Sequence, residues 1–256
     1  MEQPVLIKIG GHEIGDPVFL TELATTIRAL PAPVVIVHGG GSEISALQQK
    51  LGIVPRYLNG VRITDEASLA VVEMVLCGVV NTRLVRYLLA GDVDALGLSG
   101  VDRGLVNARQ MSHPIEDMAF TGQVTSVRGN ILLDLLAQGI TPVIAPICLG
   151  EDGNAYNVNA DHVAGAVATA IDASKIVFLT NVAGVLDDQG VLASLTPETT
   201  RSLIEDGTIV GGMIPKVQTA VHALQLGVPK AVITDLTGLH TGGGTVFVPS
   251  LQQVEV

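Results

Sequence analysis

The sequence contains few aromatic residues, no tryptophan and little positive charge. Aromatic side chains make up 3% of the 256 residues, and 14 lysines and arginines stand against 25 acidic residues, which gives a formal net charge of −11. Nucleic acids and anionic membrane surfaces are bound by clustered basic residues. We therefore expect no nucleic-acid partner and no membrane partner, and the few cations that stand in glycine-rich turns become the informative ones.

Cysteines are also scarce, and long hydrophobic runs are missing. Cys77 and Cys148 are isolated, without a CxxC spacing or a histidine cluster, so we interpret them as buried small hydrophobic residues rather than as disulfide partners or metal ligands. Apolar runs such as residues 33–37 and 140–148 are too short to cross a bilayer. No secretory pattern precedes the first apolar run. These features predict a cytoplasmic protein without a structural metal.

The apolar residues that are present predict a large α/β core. They make up 48% of the chain, and strand patterns alternate with helical ones, which favours parallel βαβ units. Residues 57–64 carry Asn-Gly between strand-forming residues and predict a hairpin. Asp65 then caps a predicted helix that extends to about Leu89. Residues 102–117 show no periodicity, and we interpret them as a solvated surface loop, with a loop that covers a binding site as the alternative.

Two glycine turns follow predicted buried strands. Lys8 stands at the carboxyl end of the strand over residues 5–9, followed by Gly10 and Gly11, and a cation there suits a site where backbone approaches a phosphate. An ordinary turn with a surface lysine is the alternative. Residues 38–41 read His-Gly-Gly-Gly between a buried strand and a helix, so their amides and the helix terminus could bind an anion. A tight structural turn explains them as well.

Two polar groups stand near predicted turns and helix starts. Arg62 follows the Asn-Gly hairpin, where a guanidinium can clamp a carboxylate, although it could equally pair with a nearby acid. Asn157 and Asn159 bracket Asp161 at the start of a predicted helix. Helix capping accounts for one of these residues but not for all of them.

Two further segments are candidates for ligand binding. Residues 211–216 read Gly-Gly-Met-Ile-Pro-Lys and place a lysine early in a helix, where the macrodipole disfavours a cation unless an anion is bound nearby. Residues 180–185 follow a buried strand and would either line a nucleotide pocket or form an ordinary loop. Neither segment contains the GxxxxGK[ST] pattern of a P-loop or a GxGxxG fingerprint.

Taken together and in this order, the five motifs at residues 8–11, 38–41, 59–62, 157–161 and 211–216 resemble the amino acid kinase family. The Asn-Gly-x-Arg hairpin and residues 157–161 are similar to the branch that acts on N-acetyl-L-glutamate. The resemblance implies an open, mainly parallel central sheet sandwiched by helices. It also implies an N-terminal lobe (about 1–172) for the acceptor, a C-terminal lobe (about 173–256) for the nucleotide, and transfer of phosphate from ATP to a side-chain carboxylate in arginine biosynthesis.

The same resemblance assigns roles to residues of this sequence. Lys8 would contact the transferring phosphoryl group, Lys216 the departing ADP, and Asp161 would hold the two lysines. The remaining implied residues are backbone donors to the phosphoryl group and acceptor (Gly10, Gly11, Gly40), acceptor ligands (Gly40, Gly41, Arg62, Asn157) and nucleotide ligands (Thr180, Asn181, Gly184, Val185, Leu186, Gly211, Met213). Mg²⁺ is expected on the ATP phosphates, largely through water. A carboxylate acceptor is already ionised, so no general base is assigned.

The sequence departs from the family at two places. Asn181 stands where the family more often has aspartate, which leaves that contact to ATP open. Arginine-inhibited members carry an extra N-terminal helix, whereas seven residues precede Lys8 here. We therefore predict an arginine-insensitive homodimer, built around the helix that follows Arg62, rather than a hexamer.

Two other functions share these motifs. A related kinase of lysine biosynthesis phosphorylates aminoadipate or glutamate attached to an acidic carrier protein, and docking a carrier of that charge requires a basic rim that a net charge of −11 disfavours. A catalytically silent sensor of nucleotides or amino acids is the second alternative. Such a protein would be expected to lose Lys8, Asp161 or Lys216, and all three are present.

Overall fold

A computed structural model describes residues 2–10 and 13–250 of the chain. Gly11, one of the predicted catalytic glycines, lies outside the described residues. The strands, numbered along the chain, are β1 (Val5–Ile9), β2 (Val34–His38), β3 (Arg56–Leu58), β4 (Val61–Ile63), β5 (Ala95–Ser99), β6 (Val106–Gln110), β7 (Thr121–Val127), β8 (Thr141–Ala145), β9 (Ile147–Gly150), β10 (Ala155–Val158), β11 (Lys175–Leu179), β12 (Leu186–Asp187), β13 (Gly190–Val191), β14 (Ser194–Leu195), β15 (Ala231–Thr234) and β16 (Thr245–Phe247).

Eight strands form one twisted, open sheet. Their order is β14-β16-β15-β11-β1-β2-β8-β5, and the β15–β16 pair is antiparallel while its other pairs are parallel. The central strands are near-continuous apolar runs because helices cover both faces. In β1, Leu6 belongs to one hydrophobic core, and Val5, Ile7 and Ile9 belong to the other. The predicted mainly parallel sheet between helices is confirmed.

The α-helices supply the two outer layers. They are α1 (Pro17–Ala29), α2 (Gly41–Lys50), α3 (Glu66–Glu73), α4 (Asn81–Ala90), α5 (Gly129–Ala137), α6 (Ala160–Ala170), α7 (Pro197–Glu205), α8 (Met213–Gln225) and α9 (Leu236–Thr241). The core on one face is built with α5, α6 and α8, and the core on the other face with α1, α3 and α4. Helix α6 packs on β1, β2 and β11, so its first turn comes to lie at the centre of the sheet.

The long helix predicted after Asp65 is present and contains a π-helical stretch. Asp65 Oδ1 accepts a hydrogen bond of 2.8 Å from the amide of Ser68, and Met74–Val80 forms a π-helix between α3 and α4. By length and composition alone, the helix Glu66–Ala90 could cross a membrane, since an 18-residue stretch of it has a mean hydropathy of 1.6. In this structure, 44% of that stretch is buried inside the protein. It packs against α1, β5 and β8, as a core helix does.

The predicted hairpin is also present. Strands β3 and β4 pair in antiparallel register, and Asn59 and Gly60 have φ angles of 48° and 80° between them. Positive φ at both central residues is the requirement of a type I′ turn, which Asn-Gly meets at little cost. The hairpin projects Arg62 from β4.

The prediction that residues 102–117 form a surface loop is wrong for Val106–Gln110. Strand β6 lies within this segment and joins β7, β9 and β10 in a closed four-stranded barrel. Val106 and Ala108 are fully buried, whereas Arg109 is exposed. Only Val106 and Ala108 point inward, so the alternation of apolar and polar residues is too short to be recognised among the polar residues around it.

Candidate active site

Lys8 and Asp161 form an ion pair at the centre of the sheet. Lys8 Nζ lies 2.8 Å from Asp161 Oδ1, and the two side chains are 17% and 26% exposed. Lys8 stands next to the carboxyl end of β1, where parallel sheets place their ligands. The pair is shielded enough for its charges to interact more strongly than an exposed pair would.

The first turn of α6 explains why Asp161 is available to Lys8. Asn159 is the N-cap residue, and its Oδ1 accepts a hydrogen bond of 2.7 Å from the amide of Asp161. Capping is therefore done by Asn159. The Asp161 carboxylate, at the second position of the helix, is directed to the lysine instead.

The second glycine turn lies beside the first. The amide of Gly39 donates a 3.0 Å hydrogen bond to the carbonyl of Ile9, which joins the ends of β2 and β1. A Cβ placed on Gly40 would lie 2.6 Å from Cδ2 of Leu76, so a side chain there would require Leu76 to move. Gly40 provides no side-chain cap for α2. Amides at such a helix terminus suit an anion.

His38 stabilises this turn from inside the core. It is fully buried, with Nδ1 2.9 Å from the carbonyl oxygen of Gly39 and Nε2 3.1 Å from Nδ2 of Asn81. These partners fit a neutral ring whose Nδ1–H donates and whose Nε2 accepts. Burial lowers the pKa of His38 to about 4, against smaller raising effects of the Gly39 carbonyl and the Glu43 charge. His38 is therefore neutral at pH 7 and out of reach of a substrate.

Arg62 is held by neutral groups rather than by an acid. Its guanidinium donates to the side-chain oxygen of Gln48 and, at 2.9 Å, to Oγ of Ser45, and its Cζ lies 4.8 Å from the centroid of the Tyr57 ring. Partial burial lowers the pKa of Arg62, an effect opposed by Tyr57, but an arginine stays charged in proteins. Among the described residues, no carboxylate forms a salt bridge with Arg62. Its charge is available to a ligand.

Asn157 is linked to Arg62 through two buried threonines. Asn157 Nδ2 donates a 2.9 Å hydrogen bond to Oγ1 of Thr64, whose amide donates to Oγ1 of Thr121 at 3.0 Å. The hydroxyl of Thr121 donates in turn to the carbonyl of Arg62 at 2.7 Å. This chain of hydrogen bonds holds the hairpin against β10 and fixes the position of Arg62 relative to Asn157.

A cavity of about 460 Å³ brings most of the predicted acceptor and catalytic residues together. Its wall includes Lys8, Gly40, Gly41, Arg62, Asn157 and Asp161. Its wall carries two cations, Lys8 and Arg62, and the start of helix α2 at Gly41. The cavity can accommodate a small molecule with two separated negative groups.

A second cavity, of about 140 Å³, adjoins the first. Lys8 and Asp161 belong to both walls, and Lys216 and Thr180 line only the second. The side chains of Phe178 and Ile233 supply apolar surface there. The structure thus places Lys8 between two cavities and brings Lys216, from the start of α8, to the same site.

The other predicted nucleotide residues line neither cavity. Val185 is buried in the core, and its amide donates to Oγ1 of Thr245 at 2.8 Å. The remaining members of this set are Asn181, Gly184, Leu186, Gly211 and Met213. Their part in nucleotide binding remains a prediction.

Several site residues were not found from the sequence. Gln48 is fully buried and joins Arg62 to Ser68, with 2.9 Å between its Nε2 and Oγ of Ser68. It lies one helical turn after the buried Ile44 of α2, so a polar residue on an apolar helix face was the available signal. Ser45 and Tyr57 left no such signal because they meet Arg62 only in the folded chain.

Comparisons with known proteins identify the family of this chain. Residues 3–235 match the model of the amino acid kinase family. A protein named acetylglutamate kinase from Roseiflexus sp. (strain RS-1) is 52% identical over 96% of this chain and 94% of its own length.

Solved structures share the fold. The crystal structure of smu.665 from Streptococcus mutans UA159 has a TM-score of 0.82 and 28% identity, covering 97% of this chain and 99% of that one. N-acetylglutamate synthase from Neisseria gonorrhoeae, complexed with coenzyme A and N-acetyl-glutamate, has a TM-score of 0.83 and 25% identity, covering 96% of this chain and 59% of that one.

Proposed function

Because the chain belongs to the amino acid kinase family, we propose that it transfers a phosphoryl group from ATP to the side-chain carboxylate of N-acetyl-L-glutamate. The products are N-acetyl-L-glutamyl 5-phosphate and ADP, and the reaction is a step of arginine biosynthesis. Full-length relatives named acetylglutamate kinase, from Roseiflexus and other organisms, support this substrate. The enzyme is a kinase with a carboxyl group as acceptor.

The observation that carries the proposal is the position of the Lys8–Asp161 pair on the wall shared by two cavities. We assign the acceptor to the larger cavity and the ATP phosphates to the smaller one. Lys8 then faces the phosphoryl group as it moves, and Lys216 faces the oxygen that leaves with ADP. Catalysis of such a transfer consists mainly of positioning and charge neutralisation.

Asp161 has a different task from the lysines. A free carboxylate beside a phosphate would repel it, but Asp161 is paired with Lys8 at 2.8 Å. Its charge fixes the Nζ atom of Lys8 between the cavities. The resemblance also assigns Asp161 to Lys216, and we propose that second interaction as well.

No side chain needs to remove a proton from the acceptor. A glutamate side chain is ionised at neutral pH, so its oxygen can attack the γ-phosphorus directly. His38 is buried and neutral and takes no part in proton transfer. We assign Arg62 to a carboxylate of the acceptor and Asn157 to its polar groups, with the amides near Gly40 and Gly41 facing the oxygens that gain charge.

We assign ATP to the C-terminal lobe (about 173–256), including Thr180, and the acceptor to the N-terminal lobe (about 1–172). Mg²⁺ enters with ATP as part of the substrate. Among residues 2–10 and 13–250, no three histidine, cysteine, aspartate or glutamate side chains form a group able to hold a metal ion. We propose that the ATP phosphates and water supply most of its ligands.

We also propose a cytoplasmic homodimer. Met74 and Val79, in the π-helical stretch, are 56% and 47% exposed and give the long helix an apolar outer face. Burial against a second copy would remove this surface from water. Light scattering should give the mass of two chains, and a hexamer or strong inhibition by L-arginine would contradict the proposal.

Acceptor specificity tests the proposed function. ADP release is followed with MgATP and four acceptors: N-acetyl-L-glutamate, L-glutamate, N-acetyl-L-aspartate and a carrier protein bearing C-terminal glutamate. The free N-acetylated glutamate is expected to have the highest kcat/KM. A preference for the carrier conjugate would indicate a kinase of lysine biosynthesis. Activity with none of the four acceptors would indicate a catalytically silent sensor.

A further inference from the structure

Arg83 connects the segment that follows β1 to the start of helix α2. Its Nη1 and Nη2 donate to Oε1 and Oε2 of Glu43 at 2.6 Å and 3.0 Å, and Nη1 also lies 3.3 Å from the carbonyl oxygen of Ile14. Arg83 and Glu43 are 26% and 27% exposed. The fork geometry is the strong, directional form of an ion pair.

The two partners of Arg83 follow β1 and β2 in the chain. Glu43 stands in the first turn of α2, two residues after Gly41, and Ile14 stands four residues after Gly10. Arg83 itself lies in the first turn of α4. One guanidinium therefore joins the segment after β1 to the start of α2.

We infer that Arg83 is a positioning residue for phosphoryl transfer, which holds Ile14, in the segment after β1, and Glu43, at the start of α2, at a fixed separation next to the candidate site. This inference rests on the proposed function. Arg83 lines neither cavity, so it acts through Glu43 and Ile14 rather than by contact with a substrate. The ion pair with Glu43 raises the pKa of Arg83, which keeps the group charged.

The effect of losing Arg83 should be misplacement rather than unfolding. The ends of β1 and β2 remain joined by the hydrogen bond from Gly39 to Ile9, and neighbouring Leu84 and Leu88 keep α4 in the core. Arg83 adds a second connection, between Ile14 and Glu43. Displacement of a catalytic group by about 1 Å can cost about 100-fold in rate.

Arg83→Met tests the inference, because it keeps the apolar stem and removes the donors. We expect kcat to fall about 10- to 100-fold, with smaller changes in KM for ATP and for N-acetyl-L-glutamate. Glu43→Gln, which keeps the shape of the partner, should lower kcat in the same direction. Arg83→Lys keeps the charge without the fork and should recover only part of the rate.

Arg28→Met is the matched control. Arg28 pairs with Asp92 at 3.0 Å in an ion pair whose side chains are 56% and 81% exposed, and its loss should leave kcat within twofold of the wild-type value. The inference is overturned if kcat of Arg83→Met is also within twofold, or if only the KM values change. If Arg83→Met does not fold, a wild-type kcat in both Arg83→Lys and Glu43→Gln overturns it. An inactive wild-type enzyme would instead refute the proposed function.

Discussion

Nζ of Lys8 lies 2.8 Å from Oδ1 of Asp161, on a wall that belongs to two cavities at once. The lysine comes from the first strand and the aspartate from the first turn of a helix more than a hundred residues later. Because α6 packs directly on β1, the pair is fixed by the core of the protein rather than by a mobile loop. Such a preorganised charge is what phosphoryl transfer requires.

Removal of either lysine should lower turnover more than substrate binding. Lys8→Ala and Lys216→Ala are each expected to reduce kcat by at least ~100-fold, which is the range for one preorganised electrostatic contact. Steady-state kinetics with both substrates varied give kcat and both KM values. Lys50→Ala, an exposed lysine at the end of α2, is the control. If the Lys8 and Lys216 mutants turn over at the wild-type rate, these residues are not part of the mechanism.

Arg62→Ala should raise KM for N-acetyl-L-glutamate at least ~10-fold and leave KM for ATP nearly unchanged. The reason is that a hydrogen bond to a charged group contributes about 1.5–3 kcal/mol, and this guanidinium has no carboxylate partner among the described residues.

Arg56→Ala is the matched control for this change. Arg56 lies on the same hairpin but pairs with Glu116 at 3.1 Å on the surface. Equal effects of the two substitutions on the acceptor KM, or a larger effect of Arg62→Ala on ATP, would contradict the assignment of Arg62 to the acceptor.

Gln48→Met should raise KM for N-acetyl-L-glutamate in the same direction as Arg62→Ala, but by less. Gln48 is buried, accepts a hydrogen bond from the Arg62 guanidinium and donates one to Ser68 at 2.9 Å. Without it, Arg62 keeps its charge but loses one of the groups that orient it. We expect a rise in the acceptor KM that is smaller than that of Arg62→Ala, measured in the same assay. An unchanged acceptor KM would show that Ser45 and Tyr57 suffice to orient the guanidinium.

His38 should make folding stability depend on pH. Its pKa is about 4 when folded, against 6.5 as the ordinary value, so the unfolded chain binds more protons between these pH values. Stability is therefore present above the unfolded pKa and is lost as pH falls toward the folded one. At 1.36 kcal/mol per pH unit, the loss from pH 7.5 to pH 5 amounts to about 2 kcal/mol.

The measurement is urea unfolding of the wild type and of His38→Gln at both pH values. Other groups titrate in both proteins, so the difference between the two pH dependences isolates the contribution of His38. The expected result is a smaller loss of stability in His38→Gln. Equal losses in the two proteins would show that His38 does not stay neutral in the folded state.

The sequence was sufficient for those parts of the site that depend on local pattern. The buried strand before Lys8, the Asn-Gly hairpin before Arg62 and the capped helix start at Asp161 each have a short-range physical signature. The order of the parallel strands then brings their carboxyl ends together. The pairing of Lys8 with Asp161 followed from the family resemblance, and the structure supplies its distance.

The rest depended on contacts between distant segments. The partners of Arg62 come from α2 and from the other hairpin strand, and the partners of Arg83 come from two separate segments. Periodicity carries no information about such pairs. The barrel strand β6 was missed for a different reason, because Val106 and Ala108 are too few to reveal an alternating pattern.

Trapping of the product tests the central claim most directly. The purified protein is incubated with MgATP, free N-acetyl-L-glutamate and hydroxylamine, which converts an acyl phosphate into a stable hydroxamate. We predict one hydroxamate for each ADP formed, with no product when the acceptor is left out and at least ~100-fold slower formation by Lys8→Ala. Absence of hydroxamate from the free acid, or its formation only from a carrier-linked substrate, would contradict the proposed reaction.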